Sequence, residues 1–119
     1  MTGSKRGDVV RVPFPYTDRP IRERRPALVI SDGGIGPDHA ILWVVMITSA
    51  ENRRWPHDVP FGADFGSAGL PAPSVARPAK IATIAIGEAS LLGSASAAVM
   101  EQVDRALRTI LGTPSASNA

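Results

Sequence analysis

"RRPALVISDGGIGPDHAILWVVMITS", residues 24–49, sets two apolar runs on either side of a turn. The first, PALVIS at 26–31, is short and continuous, the pattern of a strand buried on both faces. The second lies within HAILWVVMITS at 39–49 and is rich in aliphatic and β-branched residues, which suit a pleated surface. Between them DGGIGPD supplies the glycines and aspartates of a turn. Two strands joined this closely pair antiparallel, as a hairpin. The start of the first then lies beside the end of the second, and Arg25 and Thr48 face the same rim of the sheet.

Outward from this hairpin the strands stay short. DVVRVPF, 8–14, alternates Val10, Val12 and Phe14 on one face with Val9, Arg11 and Pro13 on the other. Pro13 and Pro15 place it at an edge or a strand end, because proline cannot donate to a ladder. YTDRPIRERR, 16–25, has no periodicity and reads as a mobile loop. WPHDVPF, 55–61, is a brief strand bounded by prolines, GADFGSAGLPAP is a loop, and SVARP with KIATIAI is a strand pair or one broken strand. From about Ser96 to Leu111 the period changes: Val99, Val103, Ala106 or Leu107, and Ile110 follow helical spacing, with Glu101, Gln102, Asp104, Arg105 and Arg108 turned outward. Gly112 ends that helix and Pro114 keeps it ended. The expectation is a single mainly β domain over 1–112 with one C-terminal helix, a small curled antiparallel sheet or barrel with the helix packed on it. Residues 113–119 form a frayed tail.

The composition narrows the chemistry. The chain has 119 residues and no cysteine, so disulfides, thiolate zinc sites and a cysteine nucleophile are excluded. MTGSKRGD runs from charge into a strand with no apolar signal region, and no stretch reaches the roughly 18 apolar residues of a membrane span. A soluble, cytoplasmic protein without a membrane partner is expected. The net charge is only +2, yet Lys5, Arg6, Arg11, Arg19, Arg22, Arg24 and Arg25 crowd one segment against Asp8, Asp18 and Glu23. A solvated face and a polyanionic partner both account for that cluster. His39 and His57 stand alone without ligand spacing, so neither a metal site nor a cofactor is expected. What remains is the rim. A guanidinium beside a hydroxyl suits the extra charge that phosphodiester cleavage builds on equatorial oxygens. Thr48 as the plain end of a strand is the blander reading, and the residues alone leave both open.

GDVVRVPFPYTD, then RRPALVIS, VVMITS, WPHDVPF and LPAPSVARPAKIATIAIGEASLLG, resemble in order and spacing the MazF/PemK family of toxin–antitoxin toxins, over about residues 6–111. The resemblance implies an SH3-like barrel of the CcdB/MazF type that forms a homodimer. It also implies a metal-independent, sequence-specific endoribonuclease that cuts single-stranded messenger, ribosomal or transfer RNA. Arg25 matches the family's catalytic arginine and Thr48 its threonine partner. Arg77 matches a basic position some members use, although Ala79 stands where that branch has an aspartate. Arg19, Arg22, Arg24, Ser49, Arg53, Arg77 and Lys80 are the candidate RNA contacts. The products expected are a 2′,3′-cyclic phosphate and a 5′-hydroxyl. The expected protein partner is a cognate antitoxin, which would lay an acidic, disordered tail over the basic groove and form a DNA-binding complex. The rival class is a gyrase-inhibiting toxin of the same barrel type, or a non-catalytic nucleic-acid-binding barrel. The former relies on C-terminal helix residues, often a terminal aromatic, and this helix ends ILG.

Overall fold

The structure, a computed structural model, describes residues 4–15 and 22–112. Six strands form one antiparallel sheet: β1 Asp8–Pro15, β2 Arg22–Val29, β3 Ile41–Ser49, β4 Val59–Pro60, β5 Ser74–Ala85 and β6 Ser90–Ser94. Their order across the sheet is β4-β5-β3-β2-β1-β6, and the sheet curls into a half-barrel. The helix α1, Ala97–Leu111, follows the last strand. The hairpin read from residues 24–49 is its centre: β2 pairs β3 through Ala27↔Met46, Leu28↔Val45 and Val29↔Val44.

Both sheet faces bury apolar side chains, which is why the central strands read as continuous apolar runs. One cluster joins Val9, Leu28, Val45, Ile47, Phe61 and Leu70 to Val99 and Val103 of α1. The other, on the face away from the helix, joins Val10, Val12, Phe14, Ala27, Val29, Val44 and Met46. The alternation in β1 is as the sequence predicts. Its prolines fall where the ladder permits them: β6 pairs β1 over Asp8–Arg11, so among the described residues Pro13 and Pro15 meet no strand besides β2.

The loop expected over 16–25 is strand in its second half. Arg22, Glu23, Arg24 and Arg25 pair with Pro15, Phe14, Pro13 and Val12 of β1. Nothing in RERR alternates; the backbone of β1 recruits this segment, and tertiary pairing overrides its local pattern. Arg25 therefore lies within β2, not at its first residue. Residues 16–21, with Arg19, and the tail 113–119 lie outside the described residues.

SVARP and KIATIAI form one strand with an interruption. Met46 pairs with Arg77 but Val45 with Ile81, so Pro78, Ala79 and Lys80 bulge out of the ladder. Pro78 has no N–H to give the ladder at that point. WPHDVPF contributes only Val59–Pro60 as strand. The expected loop from Gly62 holds a short 3-10 turn over Gly62–Phe65, and its Ala68 and Leu70 are buried. It presses on β6: a Cβ at Gly93 would stand 2.5 Å from the Ala68 carbonyl carbon, so only glycine allows this approach.

The helix begins and ends as expected. The Ser96 hydroxyl accepts from the Val99 amide at 3.2 Å, and Gly112 adopts φ 77 at the C-cap. Val99, Val103 and Ala106 are buried, but Ile110 is 40% exposed. Asp104, expected in solvent, forms an ion pair with Arg6. No helix among the described residues is long and apolar enough to cross a membrane.

Candidate functional site

Arg25 and Thr48 come from neighbouring strands. The register of β2 and β3, continued two residues beyond Ala27↔Met46, sets Arg25 opposite Thr48. Paired residues share a sheet face. Arg25 pairs with Val12 and Thr48 follows Met46 by two, so both belong to the face away from α1. Both line one pocket of about 160 Å³, together with Pro26, Ser49, Leu70, Pro71 and Pro73. The prolines give this pocket a stiff wall, since each has a fixed φ.

The two side chains differ in exposure. The Arg25 side chain is 31% exposed, and its Nη1 stands 3.7 Å from a Glu23 carboxylate oxygen. The pair lies at the surface, with the Glu23 side chain 49% exposed. Thr48 is only 5% exposed, and its Oγ1 accepts a 2.6 Å bond from the Asn52 amide nitrogen. Its own proton is then directed to another acceptor. Ser49, beside it, accepts the Glu51 amide at 3.2 Å and is exposed.

Arg77 is placed differently from an open phosphate contact. Its Nε donates to Asp58 Oδ1 at 3.1 Å and its Nη2 to Asp58 Oδ2 at 2.9 Å. Nη2 also donates to the Arg53 carbonyl at 2.8 Å. The side chains are 8% and 1% exposed, so this is a buried, bidentate pair of the strong kind. The Trp55 ring covers it, with Arg77 Cζ 4.4 Å from the ring centroid and Lys80 Nζ at 5.6 Å. Arg77 thereby clamps the segment 50–58 onto β5. No carboxylate stands at Ala79; the one that Arg77 meets is that of Asp58.

The remaining candidates scatter. Arg24 alternates to the opposite face from Arg25 and reaches across β1, donating at 3.2 Å both to the Arg11 carbonyl and to Ser90 Oγ. Arg53 is exposed on the segment that Arg77 holds, and Lys80 sits in the bulge of β5. Arg22 is in β2, and Arg19 is outside the described residues. Sequence reasoning missed Asn52, Trp55 and Asp58. Only WPHDV hinted at them: an aspartate three residues after a tryptophan is the spacing of a turn in which the carboxylate takes the Trp55 amide, here at 2.9 Å. Among the described residues no three histidine or carboxylate side chains converge as a metal site would need.

A family model described as PemK-like, MazF-like toxin of type II toxin–antitoxin system matches residues 5–111. Among curated proteins none matches the chain. Solved structures do. MazF from Deinococcus radiodurans aligns with a TM-score of 0.77 at 23% identity, over 95% of this chain and 100% of its own. An endoribonuclease from Mycobacterial species aligns with a TM-score of 0.71 at 25% identity, over 97% of both chains. An endoribonuclease in complex with its cognate antitoxin, also from Mycobacterial species, gives 0.70 and 25% over 94% of this chain and 98% of its own.

Proposed function

The chain belongs to the family of PemK-like, MazF-like toxins of type II toxin–antitoxin systems, and on that premise we propose that it is a metal-independent endoribonuclease that cuts single-stranded RNA and so arrests translation in the cytoplasm. The observation that carries this reading is the placement of Arg25 and Thr48, from two strands, on the lining of one 160 Å³ pocket. In the proposed reaction the ribose 2′-oxygen attacks the adjacent phosphorus. A 2′-O–P bond forms, the P–O5′ bond breaks, the 2′-hydroxyl loses its proton and the departing 5′-oxygen gains one. The products are a 2′,3′-cyclic phosphate and a 5′-hydroxyl. Charge accumulates on the nonbridging oxygens at the transition state, and the Arg25 guanidinium meets it with fork geometry. Thr48 donates to one of these oxygens, its hydroxyl oriented by Asn52. Among the described residues, those that line the pocket include no carboxylate or imidazole, and the proposed acceleration is charge stabilisation. Incubation with single-stranded RNA in EDTA tests the reading: cleavage should persist and leave 5′-hydroxyl ends. Intact RNA, loss of cleavage in EDTA, or 3′-hydroxyl products would refute it.

The same reading gives the protein two protein partners. Trp43 and Ile81, 50% and 48% exposed, are diagonal neighbours on β3 and β5, through Val45↔Ile81 and Trp43↔Thr83. Such an apolar pair gains by self-association, and a two-fold homodimer is the commonest way to cover it. The second partner is a cognate antitoxin. A similar endoribonuclease is known in complex with its own, and an acidic segment over the Arg25 pocket would exclude RNA by occupying the same charge.

A further inference from the structure

We infer that Trp55 is a base-stacking platform: its ring takes one unpaired nucleobase of the RNA beside the pocket of Arg25 and Thr48, an inference that rests on the ribonuclease reading. Trp55 sits on a polar segment, ENRRWPHD, and leaves 39% of its surface to water. A tryptophan that served the core would be covered. This one is exposed and also fixed. Its backbone amide is held by Asp58 at 2.9 Å, and its ring lies on the Arg77 guanidinium at 4.4 Å. That guanidinium is itself immobilised by both Asp58 oxygens and the Arg53 carbonyl. A ring held this way loses little conformational freedom when a ligand stacks on it, which favours binding.

The position matches the need. Segment 50–58 leaves β3 after Ser49, one residue beyond Thr48, and is tied back to Thr48 by Asn52. It is tied again through Arg77, which pairs with Met46, two residues from Thr48 on the same face. Two residues of strand span about 7 Å, so the platform stands within reach of the nucleotides flanking the scissile phosphate. Its surroundings are cationic: Arg53 and Arg54 are exposed beside it in sequence, and Lys80 Nζ lies 5.6 Å from the ring. An aromatic face set among cations is the combination by which proteins hold single-stranded nucleic acid, the cations following the backbone and the ring taking a base of any sequence.

The test uses an oligonucleotide carrying a sequence that the wild type cleaves, with 2′-deoxyribose at the cut position so that it binds intact. Binding is followed both by anisotropy of a labelled 5′ end and by indole fluorescence. The oligonucleotide should quench the wild type. In Trp55→Phe, where Trp43 is the remaining indole, quenching should vanish while affinity stays within a few-fold, since phenylalanine still stacks. Trp55→Ala should weaken binding about 5- to 150-fold. Quenching that survives in Trp55→Phe, or Trp55→Ala binding as the wild type does, would overturn the platform and leave the ring as a cover for Arg77 and Asp58. A wild type that cuts no RNA would overturn the ribonuclease reading, and the platform with it.

Discussion

At the scale of single residues, two arginines in similar sequence contexts have opposite duties. Arg25 in RRPALV and Arg77 in ARPAKI both precede a proline. Arg25 keeps a partly open guanidinium on a pocket, whereas Arg77 is buried against Asp58. Removing one member of a buried pair strands the other, at a cost of about 3–5 kcal/mol. Asp58→Ala should therefore lower the urea midpoint markedly, and RNA cleavage should fall further than the folded fraction does, because Asp58 also fixes the segment that carries Asn52 and Trp55. Thr48→Val behaves in the other sense. It keeps the shape of a side chain that is 5% exposed and removes the hydroxyl, so the rate should drop about 10²–10³-fold with circular dichroism unchanged. A Thr48→Val protein that cuts normally would reduce Thr48 to the end of a strand. That Arg25 and Thr48 come to one pocket was legible in the sequence because adjacency of hairpin strands follows from the chain alone. The duty of Arg77 was not, because its partner lies 19 residues away and the contact depends on how segment 50–58 folds back.

At the scale of elements, legibility follows how local the cause is. α1 was readable to its caps, since Ser96 and Gly112 act within one turn of themselves. Ser96→Ala should cost about 1 kcal/mol, visible as a lowered melting temperature with the fold retained. The second half of 16–25 was not readable, because it becomes strand by pairing with β1. That pairing also changes which arginines can serve RNA. Arg24 is directed to Ser90 on β6, away from the face of Arg25. Arg53 and Arg54 lie on the segment that begins after Thr48. Neutralising both should flatten the salt dependence of RNA binding by a slope of roughly 0.7 per lost contact on a single strand. The same change at Arg24 alone should leave that slope as it is. Equal slopes for Arg53/Arg54 and wild type would remove segment 50–58 from the RNA path.

At the scale of the molecule, the sheet buries both faces yet leaves Trp43 and Ile81 in water. Light scattering at micromolar concentration should give twice the 12.5 kDa of the chain, and Trp43→Glu should shift the mass toward the monomer. A monomeric wild type would contradict the proposed dimer. The exposed pair was invisible in the sequence, where LWVV reads as uniform core: Trp43 and Ile81 share a sheet face with the buried Val45, and only the folded sheet leaves them in water. The central claim is that this fold presents Arg25 to a phosphate beside Thr48. The direct measurement is the cleavage rate of Arg25→Ala against wild type on saturating single-stranded RNA in EDTA, with circular dichroism on both. The account predicts the same spectrum and a rate lower by about 10²–10³. An unchanged rate, or a spectrum that collapses with the substitution, would contradict it.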